Sequence, residues 1–290
     1  MKLLELRPSE LEDATATNAP LFLPFGTVEW HSDHLPLGLD TLVAEAVCRH
    51  WAGLTGVVAP ATSWGVGGVL FPGTVRLNAE VMEQHYRDLF GQCAHLGFQR
   101  LCALPGHYGL EQLLALKRAA FHHQRQWSGV ILVCPVYELT SDLNYDGVDH
   151  AGEVETSLLL WARPDLVNTQ RLQHKNVLEG VIGRDPRGAS SAQGERLAQL
   201  SRDRVWARLD ALGTSSLARS AYLDALDIQV QVLGLLARAR ARLPKARVPP
   251  LASPRYLQAL QHLVDGNDTL AKAALVQVWT ELLDALQGES

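Results

Sequence analysis

Pro20-Leu21-Phe22-Leu23-Pro24-Phe25 is an unbroken apolar run of strand length, and Gly26-Thr-Val-Glu-Trp-His-Ser-Asp-His-Leu-Pro-Leu-Gly-Leu-Asp40 follows it at once. A continuous apolar run, unlike an alternating one, marks a strand buried on both faces, as in a parallel sheet covered by helices. The same pattern recurs along the chain. Residues 41–54 carry apolar side chains at helical spacing, with Asp40 at the N-cap position. Residues 56–59 read as a second strand, and 79–97 as a helix that Gly97 would cap. A third strand falls at 101–104, a helix at 110–126, a fourth strand at 130–134 and a helix at 151–162. Strand, loop and helix in this order imply right-handed crossovers. The expected fold is a three-layer α/β/α sandwich with a mostly parallel sheet.

From about residue 196 the pattern is purely helical, with stretches at 200–212, 220–243 and 255–286. The proline-rich segment 244–254 separates the last two as an extended connector. We therefore expect an α/β domain over 1–212 and a helical C-terminal extension over 213–290. The Arg/Ala alternation at 236–243 reads as a solvated helix face.

The 290 residues are 47% hydrophobic and 20% charged, enough apolar material for a sizeable core, which excludes wholesale disorder. Lys and Arg number 26 against 31 Asp and Glu, a net charge of −5 with no basic run, so no nucleic-acid partner is expected. The four cysteines, Cys48, Cys93, Cys102 and Cys134, form no C-x-x-C pair. Cys102 and Cys134 sit inside strand-like runs, as reduced buried thiols do. No apolar run approaches the roughly 18 residues of a membrane span, and no signal peptide is evident. The expectation is a soluble, cytoplasmic protein without a membrane partner.

Chemistry concentrates where the predicted strands end, the edge at which open α/β sheets place their sites. Glu29 and His31, two apart, share a face of an extended chain, and a loop containing Pro36 and Gly38 returns Asp40 to them. Pro105-Gly-His-Tyr-Gly109 follows the third strand, and Asp149-His-Ala-Gly-Glu-Val-Glu-Thr-Ser157 follows the fourth. Singly, each residue has an ordinary role open to it: Asp40 a helix cap, His107 a core histidine, Glu153 and Glu155 residues favoured by a helix dipole. Together they form a recurring set at one sheet edge. Oxygen and imidazole donors without thiolate suit Zn²⁺ or Mn²⁺, with iron a further possibility.

The chain resembles the creatininase family of metal-dependent amidohydrolases. The family's Gly-Ser-x-Glu-Gln-His-Gly-x-His-Leu-Pro signature, running on to an Asp, is matched by Gly26 to Pro36 and Asp40. A Phe-Pro-Gly-Thr motif stands at Phe71 to Thr74, and the Asn-Gly-His-Gly-Gly-Asn turn is reduced to Gly106, His107, Tyr108 and Gly109. His-Ala-Gly-x-x-Glu-Thr-Ser is complete at His150 to Ser157, and Gly183 to Glu195 looks like the late loop and helix start. The resemblance covers roughly residues 1–212.

The resemblance implies two divalent metals sharing Asp40 as a bridging carboxylate. Glu29, Asp40 and His107 would hold one, and His31, Asp40 and Glu155 the other. His150 matches the family's proton-transfer residue, and a departing amine needs such a group. His34 is expected to orient a ligand or the substrate, and Trp30, Asp149 and Tyr108 to stand around the metals or the substrate. The implied activity is hydrolysis of a non-peptide, possibly cyclic, amide C–N bond. The alternatives are a deformylase-like or peptide-trimming amidohydrolase of a cofactor pathway, and a non-catalytic metal-binding protein whose pocket Trp30 closes. A small-molecule amide is the expected substrate. A homo-oligomer, as large as a hexamer, is expected from the family's habit and from the many leucines of the C-terminal helices.

Departures from the signature surround the metals. Trp30 replaces Gln, Ser32 and Asp33 replace a small or Gly/Pro pair, Leu39 replaces Thr, and Pro105 replaces Asn. Creatinine hydrolases of the family carry a glutamate two residues after the metal-binding His; here that position is Gly109. The missing carboxylate predicts a differently shaped pocket and poor turnover of creatinine itself.

Overall fold

The computed structural model describes residues 1–143, 149–173, 178–242 and 253–287. Strand β1 (Leu21–Phe25) is buried at every position and lies inside the sheet, which accounts for its unbroken apolar sequence. It pairs in parallel with β2 (Val57–Val58) on one side and β3 (Arg100–Pro105) on the other. β3 pairs in parallel with β4 (Val130–Val133), giving the order β2-β1-β3-β4.

Alternate strand residues feed two cores. Leu21, Leu23, Phe25, Leu101 and Ala103 meet α1 (Pro8–Ala16), α3 (Ala79–His95) and α4 (Leu110–Gln124) on one face. Phe22, Cys102 and Leu104 meet α2 (Leu39–Ala52), α6 (Glu153–Ala162) and α7 (Ser191–Thr214) on the other. The short α5 (Val136–Leu139) joins this second core. The result is a three-layer α/β/α sandwich whose described strand pairs are all parallel.

Two local expectations are corrected, and one helix is added that the apolar pattern does not show. Helix α1 went unread because Ala14 is its one buried residue, too little for an apolar stripe to show. Asp40 is not the N-cap of α2: Gly38 holds that place, and Asp40 sits in the first turn. The long helix expected at 255–286 is two helices, α9 (Pro254–Val264) and α10 (Asp268–Gln287), broken where Gly266 takes φ +76°. The connector expected at 244–254 lies outside the described residues except for its last two positions, Ser253 and Pro254.

Helix α8 (Ser216–Arg242) packs along α4, and α9 and α10 complete a third core with it. Leu233, Leu236, Leu260, Leu275 and Leu282 close on one another and on Leu113 and Leu114 of α4. The leucines of the C-terminal helices are therefore largely spent within the chain and do not by themselves call for a second copy. Among the described residues, no helix is long and apolar enough to cross a membrane.

A buried ion pair ties these helices to the α/β body. Arg208 of α7 donates to Asp268, at the start of α10, over 2.7 Å, with both side chains almost wholly buried. Removing one partner strands the other charge in a low-dielectric interior. Arg208→Met should therefore cost about 3 kcal/mol in denaturant unfolding, and Asp268→Leu added to it should recover part of that loss.

Candidate metal centre

The carboxyl edge of the sheet brings five of the expected residues to one point. Glu29 and His31 leave β1 in an extended segment, and Asp40 projects from the first turn of α2. His107 follows β3, and Glu155 stands in the first turn of α6. Asp40 and His31 are fully buried, and Glu29, His107 and Glu155 nearly so. Asp40 Oδ1 lies 3.1 Å from His31 Nε2, while Asp40 Oδ2 lies 3.5 Å from His107 Nδ1. Glu29 Oε2 approaches His107 Nδ1 at 2.8 Å, and Glu155 Oε2 approaches His31 Nε2 at 3.6 Å. The trios Glu29–Asp40–His107 and His31–Asp40–Glu155 each hold their donor atoms within 4.8 Å, and so does Glu29–His31–His150.

Neighbouring groups aim these side chains. Val69 N–H donates to Glu29 Oε1 over 2.7 Å, which leaves Oε2 buried without a hydrogen bond. Ala151 N–H donates to Glu155 Oε2 over 2.7 Å, from a residue at φ +53°. His31 Nδ1 donates to the Glu29 carbonyl over 3.0 Å, which turns its Nε2 toward Asp40 and Glu155. His31 Nε2 and both Asp40 oxygens are also buried without an aligned hydrogen bond, although they approach one another closely. Donor atoms converging in this way on a buried point suit a cation.

The electrostatics agree. Burial works against charge on His31, yet Asp40, Glu155 and Glu29 raise its pKa to about 10. Burial likewise opposes charge on His107, while Asp40 and Glu29 raise it to about 10. Against burial, the same two imidazoles hold Asp40 below the usual carboxylate range. Burial pushes Glu155 up, as expected where one carboxyl adjoins others. The cluster is a potential well for positive charge.

The remaining expected residues stand around this cluster in different roles. His150 donates from Nε2 to the Trp30 carbonyl over 3.1 Å, which leaves Nδ1 3.8 Å from Glu29 Oε1. Burial, then the adjacent His31, lowers its pKa. Asp149 accepts from the Val154 and Glu155 amides and from the Tyr137 hydroxyl, securing the start of α6; burial pushes its pKa up to about 6. His34 lies behind the cluster, 3.0 Å from Thr156 Oγ1, and burial followed by His31 lowers its pKa to about 4. Tyr108 is stacked on Tyr137 with centroids 5.2 Å apart. Trp30 stacks on Phe71 at 4.1 Å and packs against Gly180.

A cleft of about 220 Å³ opens over the cluster. Glu29, His107, His150 and Glu155 form its floor, with Tyr108 and Asp149 beside them. Trp30 is not among its lining residues, so the indole does not close it. Sequence reading missed three contributors: the Val69 and Ala151 amides, and Arg240 of α8, which lines the same cleft. Backbone donors carry no residue signature, and Arg240 lies more than 80 positions from Glu155, the last of the expected metal-binding residues.

This arrangement of acid and imidazole groups at the carboxyl edge of a parallel sheet defines a hydrolase class, and comparison with known proteins gives the family. A model of the creatininase family, described as creatinine amidohydrolase, matches residues 4–209, and the chain belongs to that family. It is 28% identical over 193 residues to creatinine amidohydrolase of Pseudomonas putida, covering 58% of this chain and 74% of that one. It is 30% identical over 229 residues to the mycofactocin precursor peptide peptidase of Mycobacterium tuberculosis, covering 65% and 85%. A solved structure described as creatininase Mn superposes with a TM-score of 0.62 at 22% identity, over 74% of this chain and 99% of that one. Helices α8, α9 and α10 lie beyond the family match.

Gly109 is explained by His107. A Cβ at position 109 would stand 2.1 Å from His107 Nε2, so any side chain there displaces the imidazole. Gly109→Ala should move that ring off Glu29 and Asp40 while leaving the fold intact. The expected outcome is at least tenfold weaker binding of one divalent ion by calorimetry, with a thermal midpoint within a few degrees of the parent.

Proposed function

We propose that the chain is a two-metal amide hydrolase, with the catalytic unit over 1–212 and a helical extension over 213–290. The observation that carries this reading is Asp40, whose two oxygens face imidazoles from different elements, as a bridging carboxylate requires. Glu29 and His107 would complete one site, and His31 and Glu155 the other. Their oxygen and nitrogen donors suit zinc or manganese, with iron the third candidate. Two such ions would supply the positive charge that polarises an amide carbonyl and acidifies water.

The chain's own groups do the rest. His150, fixed through Nε2 on the Trp30 carbonyl and kept from charging by burial and His31, presents Nδ1 toward the cleft. It accepts the proton of the attacking water and returns it to the departing nitrogen. Asp149 holds the first turn of α6, and with it Glu155, in place. His34 braces the same helix from behind through Thr156.

The substrate is a non-peptide amide, cyclic amides included. Creatinine is a poor one, because position 109 has no room for the carboxylate that creatinine hydrolases of the family carry there. A second reading, trimming of a peptide or formyl group in a cofactor pathway, is favoured by the similarity to the mycofactocin precursor peptide peptidase. A purely metal-storing role fits less well with a cleft that has His107, His150 and Glu155 in its lining. Buried free cysteines accord with a cytoplasmic setting.

A homo-oligomer, a hexamer among the possibilities, is supported by exposed apolar side chains of the α/β body rather than by the C-terminal helices. Leu37, Trp64, Leu70, Leu77 and Val81 are exposed, and the turn at Gly73 packs on Leu37.

Purified, metal-loaded protein should contain about two equivalents of metal by elemental analysis. Asp40→Ala should lose both and His107→Ala mainly one. His150→Gln should keep both while amide hydrolysis falls about 10²- to 10⁴-fold. Less than one equivalent in the parent would overturn the reading. Light scattering at micromolar protein should exceed the 31.8 kDa of one chain.

A further inference from the structure

Helix α8 lies outside the segment that the family shares, yet it contributes one side chain to the cleft. Its position follows from packing. Gly234 sits against Arg118 of α4, where a Cβ would be 3.2 Å from the guanidinium, and Leu114 and Ala237 border a common groove. Helix α8 thus runs back along α4 toward the start of that helix. Six residues beyond Gly234, about 9 Å along the axis, Arg240 reaches the level of Leu110 and Glu111, immediately after the His107 turn. There it lines the same cavity as Glu29, His107, His150 and Glu155.

Arg240 is the one lysine or arginine among the lining residues. It is exposed, and among the described residues no carboxylate pairs with it. Glu111 and Asp149 also line the cleft, so a carboxylate held away from the metal cluster needs a cation beside it. A guanidinium supplies that cation in the planar, two-pronged form that matches a carboxylate. The cleft, at about 220 Å³, is smaller than the roughly 300–1,000 Å³ of most ligand pockets, so the enclosed part of the substrate is small.

We propose that Arg240 is a specificity residue that receives a carboxylate at the outer end of the cleft while the scissile amide lies over the Asp40 cluster. The substrate class is then a small non-peptide amide carrying a distal carboxylate, such as an N-acyl amino acid. This inference rests on the two-metal hydrolase reading. The competing role for Arg240, offsetting the negative end of the α8 dipole, predicts no ligand preference at all.

Two hydroxamates of similar length separate the possibilities. Butyrohydroxamate anchors on metal and ends in a methyl group, whereas succinic monohydroxamate ends in a carboxylate. Calorimetric titration of the metal-loaded full chain should show the carboxylated ligand binding about tenfold tighter. Arg240→Gln should bind the two equally, with its butyrohydroxamate affinity and thermal midpoint unchanged, and Arg240→Lys should retain part of the preference. Equal binding by the parent, or a preference that survives in Arg240→Gln, overturns the assignment and leaves the metal reading standing. If the parent binds neither hydroxamate, both fall together, and the metal stoichiometry shows that separately.

Discussion

Three carboxylates, Glu29, Asp40 and Glu155, converge with two imidazoles on one dry point at the end of the sheet, and the rest of the architecture answers to that constraint. Like charges so placed repel, and burial removes the water that would screen them. The arrangement is tenable because His31 and His107 are driven to hold positive charge, and a pair of dications would satisfy the same field more fully. Asp40 is the member that cannot be moved. It is fully buried, and its two oxygens are committed to different partners.

The fold supplies the means of holding such a cluster. Asp40 and Glu155 both lie in first turns of helices, where the positive end of the dipole offsets part of their charge. Backbone amides hold two of the carboxylates: Val69 takes the outer oxygen of Glu29, and Ala151 takes the Glu155 Oε2 that faces His31. The loop bearing Val69 is itself anchored, since Gln112 Oε1 accepts from the Val66 amide and Thr74 Oγ1 accepts from the Trp30 amide. A rigid parallel sheet buried between helices fixes where β1 and β3 end. The loops then deliver Glu29 and His107 with little freedom left.

The C-terminal helices add a second level of organisation. They enlarge the core through Leu113 and Leu114 of α4 and through the Arg208–Asp268 pair, so the element that carries His107 at its head is braced along its length. The same packing runs α8 toward the cleft and sets Arg240 at its edge. A segment that stabilises the domain is therefore also placed to shape what enters the site.

Much of this was legible in the residues. The apolar runs at 20–25, 101–104 and 130–134 have one reading, buried parallel strands, because hydrophobic burial on both faces leaves no room for alternation. The motifs carrying Glu29, His31, Asp40, His107, His150 and Glu155 follow strand ends in order, so the location of the candidate site was readable as well. Local pattern could not show that Trp30 stacks on Phe71, or that Gly109 is glycine because the His107 ring occupies its side-chain space. Nor could it show that Asp40 lies inside its helix and not at the cap. The break at Gly266, and the leucines that pack against α4 instead of a second copy, were equally hidden. Arg240 is the clearest case: its neighbours in sequence spell a solvated helix face, and only the antiparallel packing of α8 on α4 brings it beside residues 130 positions away. Spacing along the chain determines which side chains share a face of one element. Which faces meet is decided by how whole elements pack, and that depends on shape and burial summed over the entire core.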